Sequence, residues 1–138
     1  MTIHVDIVSA EKEIFSGSVE AVFASAVMGE VGIYPRHTPM LTQLKPGEVR
    51  VLLNGKEEQF YVSGGMLEVQ PHIVTVLADT AMRADDVDEA AALAAKEDAE
   101  QALSDNDAKL DYAEAQSKLA EAMAQLRTID RMRKGANH

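Results

Sequence analysis

Residues 49–62, VRVLLNGKEEQFYV, predict a β-hairpin and indicate the fold class of the first half of the chain. Alternating runs flank Asn54-Gly55, a dipeptide whose residues both accept the positive φ angles of a tight hairpin turn. Similar alternating runs, such as Ile3–Ile7, recur between Gly and Pro residues up to about residue 84. The run Ile73–Ala78 is rich in β-branched residues and suits a strand buried on both faces. We count eight to ten short strands, which predict an antiparallel β-sandwich or flattened barrel.

The pattern changes after Arg83, where Ala becomes the dominant residue and no further Pro occurs. Asp86 followed three residues later by Glu89 resembles a capping box, with Asp86 as the N-cap. These signals predict a helix over about residues 87–103. Ser104-Asp105-Asn106-Asp107 should end it, since these side chains compete for backbone hydrogen bonds. A second helix is predicted over about residues 111–133.

Apolar residues recur every three or four positions along both predicted helices. Such spacing places them on one face of a helix and favours an antiparallel hairpin of two helices. We call residues 85–138 the two-helix arm. Because Ala buries much less apolar surface than Leu or Ile, we expect the arm to hold the β domain weakly and to detach without unfolding it. The expected seam comprises Ala92, Ala95, Ala99 and Ala102 in the first helix and Tyr112, Ala115, Leu119, Ala122, Leu126 and Ile129 in the second.

Charge and composition exclude several classes of function. The 138-residue chain carries a formal net charge of −10 and contains no Cys, which rules out disulfides, Cys-based zinc sites and thiol nucleophiles. An acidic chain without a basic face is unsuited to non-specific nucleic-acid binding. Residues 85–111 carry ten acidic and two basic side chains, whereas residues 112–138 carry three acidic and five basic ones. We expect neither a signal peptide nor a membrane-spanning helix.

No segment shows the pattern of a catalytic or metal site. The four His residues have no Ser nearby in a recognisable motif, and the acidic residues 85–89 are explained by a helix N-terminus, which stabilises carboxylates. Residues 105–107 lack the remaining ligands of a calcium loop. The loop expected over residues 29–41 contains two Gly and two Pro; it is either a simple connection or a rigid loop presenting Glu30, Arg36 and His37.

Six segments of the first half, taken in order, resemble the epsilon subunit of the bacterial F-type ATP synthase. The likeness continues more loosely along the arm to Arg127. It implies a ten-stranded antiparallel β-sandwich over residues 1–84 followed by a C-terminal α-helical hairpin. The segments are Val8–Glu11, Phe15–Gly17, Gly29–Leu41, Lys45–Gly47, Ser63–Pro71 and Val74–Ala81.

The resemblance also implies a function and a set of partners. Epsilon subunits are non-catalytic parts of the central stalk, bind gamma, and rest on the ring of c subunits at the cytoplasmic face of the bacterial cell membrane. By position, Glu30 and His37 would contact the c ring, and Ser9 would contact gamma. The arm would inhibit ATP hydrolysis by extending toward alpha and beta, with its basic residues on the catalytic head. Those basic residues are Arg127, Arg131, Arg133 and Lys134.

One motif of the family is incomplete in this chain. Some epsilon subunits bind ATP through a segment that contains Asp, two variable residues, Arg and Ala. Here Asp88 is retained, but Ala91 stands in place of the Arg. Because a guanidinium is the natural partner of a phosphate, we expect weak or absent ATP binding and no cofactor.

Two other classes of function stay open from the residues alone. The chain could be a free-standing sandwich module that binds a small ligand and dimerises through its helices, which a concave aromatic patch would favour. It could also be an enzyme, which would require convergent titratable groups. Only three Tyr and three Phe are available for such a patch.

Overall fold

The computed structural model describes residues 1–104 and 112–136. Within these ranges nine strands form the first half of the chain and two α-helices form the arm. The predicted turn at 104–107 falls mostly outside the described residues. The strands are Ile3–Ser9 (β1), Glu13–Val19 (β2), Ala21–Ala26 (β3), Gly29–Ile33 (β4), Met40–Leu53 (β5), Lys56–Val62 (β6), Gly65–Val69 (β7), Ile73–Ala78 (β8) and Ala81–Arg83 (β9); the helices are Glu89–Ser104 (α1) and Tyr112–Ala136 (α2).

The strands form two layers that share β5. The first layer has the order β2-β1-β8-β7-β5, and the second has the order β4-β3-β5-β6-β9. Residues 40–44 of β5 pair with β7, while residues 47–53 pair with β6. All pairs are antiparallel except β1 with β8, which is parallel. The predicted sandwich is therefore confirmed, with nine strands instead of ten, and β5 runs through both layers without interruption.

Gly47 and Gly65 lie where neighbouring strands come so close that a Cβ atom would clash. A Cβ on Gly47, where β5 passes between the layers, would lie 2.6 Å from the Ser25 Cβ. Gly65 has φ +140° at the start of β7, and a Cβ there would lie 2.0 Å from the Leu77 carbonyl oxygen. The predicted hairpin turn is also confirmed, since Asn54 and Gly55 both have positive φ between β5 and β6.

The core between the layers consists of alternate residues from nearly every strand. Ile3, Val5 and Ile7 of β1 face Leu67 and other aliphatic side chains, and all are essentially fully buried. The prediction that Ile73–Ala78 is buried on both faces is wrong. Only Val74, Val76 and Ala78 point inward, and Leu77 is 50% exposed on the outer face. A β-branched run favours a strand, but burial of its second face depends on a covering element.

Helix α1 begins two residues later than predicted, and its N-cap is Asp88. The Ala91 amide donates to Asp88 Oδ1 at 3.0 Å, as an N-cap carboxylate accepts. Asp86, the predicted cap, lies instead in a short 3₁₀ turn over Ala84–Asp86. Asp86 and Asp88 both lie just before the helix, so the sequence alone did not show which of them is the N-cap.

The two helices pack antiparallel, because the start of α1 lies beside the end of α2. Arg133 Nη1 donates to Glu89 Oε1 at 3.1 Å. Ala92, Ala99, Ala115 and Ala122 are buried as the seam predicts. Ala95 and Tyr112 are exposed, and the other seam residues, Ala102, Leu119 and Leu126, are only partly buried. The small side chains of Ala95, Ala99, Ala115 and Ala122 line an open groove between the helices.

Candidate interaction surfaces

Three apolar side chains lie in one row across the outer face of the first layer. Val8 of β1 is in register with Leu77 of β8, which is in register with Met66 of β7. Leu77 is 50% exposed and Met66 is 38% exposed. We call Val8, Leu77 and Met66 the apolar row. Val8 is partly exposed, so the three form a small contiguous apolar patch, which is a candidate surface for a partner.

Ser9 continues β1 immediately beyond the apolar row. Its hydroxyl donates to the Lys12 carbonyl at 3.3 Å and accepts from the Lys12 amide at 3.4 Å. These bonds hold the turn from β1 into β2, and the residues around it are partly or fully exposed. The structure therefore places Ser9 at an exposed corner beside an apolar surface.

Polar residues occupy the same outer face farther along β1. Ser16 of β2 donates to Asp6 Oδ1 at 2.6 Å, and His4 Nε2 lies 2.9 Å from the same oxygen. The Ser16 hydrogen bond, together with His4, holds the pKa of Asp6 below its ordinary value. The outer face thus changes from charged to apolar toward Ser9.

Glu30 lies in a strand and not in a loop, which corrects the sequence-based expectation. Residues Gly29–Ile33 form β4, and the connecting loop covers only residues 34–39. Glu30 faces outward, is 53% exposed on its side chain, and binds Arg50. His37 is in the loop, where its Nδ1 donates to the Thr38 carbonyl at 2.7 Å. The hairpin tip beside Glu30 exposes Val27 and Met28.

Arg50 is surrounded by carboxylates on the outer face of the second layer. Its guanidinium binds Glu30 of β4, donates to Glu57 Oε2 at 3.0 Å and lies 4.0 Å from Glu48 Oε1. It also stacks over the Phe23 ring at 4.7 Å. The Arg50 side chain is only 13% exposed, so these contacts are poorly screened by water.

The arm docks on this second layer through a small apolar cluster. Ile129 and Ala124 of α2 pack with Tyr61 of β6 and with Val87, and Met82 of β9 lies at the edge. Residue Tyr61 is 2% exposed. Burial, and secondarily the nearby Glu121 carboxylate, raises the pKa of Tyr61 to about 12. The sequence analysis predicted that Ile129 contacts the other helix, whereas in the structure it packs against the sandwich.

Thr128 lies beside this docking cluster and is fully buried. Its hydroxyl donates to the Ala124 carbonyl one turn earlier at 2.8 Å. This bond satisfies the hydroxyl within the helix, so a polar residue can be buried in the docked face without a partner on the sandwich.

The four basic residues predicted for the arm differ in their partners. Arg131 Nε lies 2.6 Å from Glu48 Oε1 of β5, and Lys134 lies 3.1 Å from Asp130 one turn earlier. Arg133 binds Glu89 of α1. Arg127 is exposed and forms no ion pair with any residue in the described part of the chain. Three of the four cations are thus neutralised inside the chain in this conformation.

Asp88, which matches the ATP motif, is occupied by capping α1. Ala91 is exposed in the first turn and contributes only its backbone amide. Among the described residues, no group of three or more His, Asp or Glu could hold a metal ion. The described helices include none long and apolar enough to cross a membrane.

Sequence reasoning missed Glu48, Arg50 and Tyr61. The alternation Glu48-Val49-Arg50-Val51 placed the two charged residues on one face of β5. The alternation could not identify the side chains that contact Glu48 and Arg50, because those side chains come from β4, β6 and α2. Tyr61 also alternates correctly with buried neighbours, and its burial follows only from the docking of α2.

Comparison with known proteins places the chain in a family. The family described as ATP synthase, Delta/Epsilon chain, beta-sandwich domain matches residues 2–84. The one described as ATP synthase, Delta/Epsilon chain, long alpha-helix domain matches residues 85–130. The two matches define the class, a delta- or epsilon-type chain of an ATP synthase, over nearly the whole sequence.

Curated relatives narrow this class. The ATP synthase epsilon chain of Nitrosococcus oceani is 70% identical over 135 residues, covering 97% of this chain and 96% of the relative. The ATP synthase epsilon chain 1 of Methylococcus capsulatus is 62% identical over 136 residues, covering 98% and 97%. The chain therefore belongs to the family of bacterial F-type ATP synthase epsilon chains, and the resemblance noted in the sequence is confirmed.

Solved structures share the fold at much lower identity. A chain of the Euglena gracilis mitochondrial ATP synthase, solved as OSCP/F1/c-ring in rotational state 1, superposes with a TM-score of 0.82 at 22% identity. The match covers 91% of this chain and 80% of the other. A chain from the central stalk and c ring of the Tetrahymena thermophila enzyme gives a TM-score of 0.65 at 15% identity, covering 94% and 97%.

Proposed function

We propose that this chain is a non-catalytic rotor subunit of the central stalk, coupling gamma to the c ring during proton-driven ATP synthesis. In this proposal it is a peripheral protein at the cytoplasmic face of the bacterial inner membrane. The observation that carries the proposal is the apolar row beside Ser9, combined with membership of the epsilon-chain family. The row offers gamma an exposed apolar surface on a rigid sheet.

Binding to gamma should depend on Leu77, the most exposed member of the row. Placing a charge there would oppose burial of the row, since a charge in an apolar interface requires a partner or costs its desolvation. We expect Leu77→Lys to weaken capture of the chain by immobilised gamma at least about tenfold. Leu53→Lys is the matched control, because Leu53 is 41% exposed at the end of β5, next to the β5–β6 turn.

Capture that is unchanged by Leu77→Lys would exclude the apolar row as the gamma surface. Failure of the unaltered chain to bind gamma at all would contradict the rotor function. It would leave the stand-alone ligand-binding module with a dimerisation hairpin as the alternative, which sedimentation of the purified chain would detect as a dimer.

For the c ring we propose contact through Glu30 and His37. Glu30 is half exposed beside the tip formed by Val27 and Met28, so a partner that approaches this edge meets a carboxylate and two apolar side chains. We expect Glu30→Gln to weaken binding to purified c rings in detergent, with Glu97→Gln on α1 as the control. Equal binding by both variants would count against this contact.

We further propose that the two-helix arm inhibits ATP hydrolysis when it leaves the sandwich. In the docked arm, Arg131 is paired with Glu48 of the sandwich, while Arg133 is paired with Glu89 inside the arm and becomes available when α2 also separates from α1. Released, it presents Arg127, Arg131, Arg133 and Lys134 to acidic surfaces of beta, with alpha adjacent. A basic segment meeting an acidic surface gains charge complementarity.

Inhibition can be tested on the purified catalytic head with its gamma subunit. We expect the full chain to slow hydrolysis, and a chain ending at residue 111 to bind gamma without slowing it. Replacing the four basic residues by Gln should have the same effect as the deletion. Inhibition by the shortened chain would contradict the role of the arm.

A further inference from the structure

We propose that Arg50 couples Glu30 to the docking of the arm, so that a partner that engages Glu30 releases Arg50 to Glu48 and makes arm release easier. The inference rests on the proposed function for the identity of that partner, the c ring. It concerns Glu30, Glu48 and Arg50 of the second layer. The family resemblance assigned a role to Glu30 alone.

Arg50 is one cation shared by three acids. It binds Glu30 and Glu57, and its Nε lies 4.0 Å from Glu48 Oε1, which is beyond hydrogen-bond distance. Within the described part of the chain, Arg50 Nε is buried without a hydrogen-bond partner. Arg50 therefore has an unused donor that faces toward Glu48 while its other nitrogens serve Glu30 and Glu57.

Glu48 is the acid that needs compensation most. Its side chain is 14% exposed, and its Oε2 is buried without a partner among the described residues. Burial raises the pKa of Glu48, an effect that Arg131 and Arg50 only partly oppose. Among the described residues its close cation is Arg131, at 2.6 Å on the docked arm.

Release of the arm removes Arg131 and leaves Glu48 with Arg50 alone. Arg50 can approach Glu48 fully only by giving up part of its bond to Glu30, since a guanidinium has a fixed fork of donors. While Glu30 holds Arg50, the released state is less favourable. When Glu30 is occupied by another partner, Arg50 is free to neutralise Glu48, and the released state costs less.

The coupling is reciprocal by thermodynamic linkage. If engagement of Glu30 favours arm release, then arm release makes Glu30 more available to its partner. The two sites are on different elements, β4 and α2, and within the described residues no ion pair or hydrogen bond joins Glu30 to Arg131 directly. Communication would pass through Arg50 and Glu48, two residues apart on one face of β5.

A single thiol measures arm release in the isolated full-length chain. The sequence contains no Cys, so Ala124→Cys introduces one thiol that is buried between α2 and Tyr61. Its labelling rate with a chromogenic disulfide reagent reports how often the arm opens. Ala24→Cys, in the sandwich core, reports global unfolding and should label far more slowly.

Glu30→Gln mimics the loss of Glu30 from Arg50. We expect it to raise labelling of Cys at position 124 about fivefold, with no change at position 24. Glu58→Gln is the matched control, because Glu58 pairs with Arg83 on the same layer and has no link to Arg50. An unchanged rate in Glu30→Gln would overturn the coupling, since it would mean that Glu30 has no influence on docking.

The same measurement in an Arg131→Met variant tests whether the coupling passes through Glu48. Arg131→Met removes the arm's bond to Glu48 and should itself raise labelling. In that background Glu30→Gln should give no further rise, because Glu48 then lacks Arg131 in the docked state as well, and freeing Arg50 stabilises the docked and released states equally. The same fivefold rise in both backgrounds would overturn a route through Glu48. Capture by gamma is measured separately, so loss of gamma binding would reject the proposed function without deciding this inference.

Discussion

Replacing Ile129 by Ala tests whether the arm is a separate unit. Ile129 is 4% exposed and, with Ala124, Tyr61 and Val87, forms a cluster that shares no member with the sandwich core. Buried Ile→Ala changes cost about 2–5 kcal/mol, and this site lies near the lower end because a small docking cluster can relax. At 1.4 kcal/mol per factor of ten, a loss of about 2 kcal/mol raises the open population of the arm roughly 30-fold.

Native-state hydrogen exchange is the appropriate assay, because it reports opening segment by segment. We expect amides of α2 to exchange roughly 30-fold faster in Ile129→Ala, since an isolated Ala-rich hairpin keeps little helix protection once undocked. Amides of β1 and β8 should be unaffected. Met123→Ala is the matched control; Met123 is 40% exposed on the same helix and does not belong to the cluster.

Equal acceleration in α2 and in the sandwich would refute the reasoning. It would show that the chain unfolds as one cooperative unit, with the nineteen buried residues of the sandwich core coupled to the four of the docking cluster. A single thermal transition that shifts as a whole in Ile129→Ala would lead to the same conclusion. Either result would also weaken the case for an arm that moves between conformations.

Three further predictions follow from single contacts. Gly65→Ala should destabilise the sandwich by more than about 2 kcal/mol in urea unfolding, since its Cβ would lie 2.0 Å from a β8 carbonyl at φ +140°. Glu121→Gln should lower the pKa of Tyr61 from about 12, seen as absorbance at 295 nm with the other tyrosines changed to Phe. Because the lowered pKa of Asp6 stabilises the fold above about pH 4 and that contribution is lost as pH falls through its folded pKa, Ser16→Ala should reduce the acid sensitivity of the urea midpoint.

The local patterns of the sequence accounted for the strands and turns because these depend on near neighbours. Alternation identified the face of β1 that builds the core, and Asn54-Gly55 identified the tightest hairpin. The prediction for Ile73–Ala78 was wrong because hydrophobic composition cannot report whether a second face is covered. Leu77 is apolar and half exposed, and with Val8 and Met66 it forms the apolar row that we propose as the gamma surface.

The charged cluster on the second layer could not be predicted from the sequence, for a different reason. Glu30, Arg50 and Arg131 are separated by 20 and 81 positions, and only strand register and the docking of α2 bring them to one site. The helical seam indicated one face of α2, whereas that helix uses two. Ala115 and Ala122 face α1, while Ala124 and Ile129 face the sandwich, and a narrow Ala stripe does not distinguish the two.

The two parts of the docking surface contribute differently to control of the arm. The cluster around Ile129 is apolar, so it contributes the part of the docking free energy that does not depend on charge. The Glu48–Arg131 pair lies beside it and depends on how well Glu48 is compensated by Arg50. The Arg131 side chain is 44% exposed and that of Glu48 only 14%, so loss of Arg131 leaves a largely buried carboxylate with less compensation. The apolar contact therefore determines the strength of docking, and the shared carboxylate makes that strength responsive to what Glu30 binds.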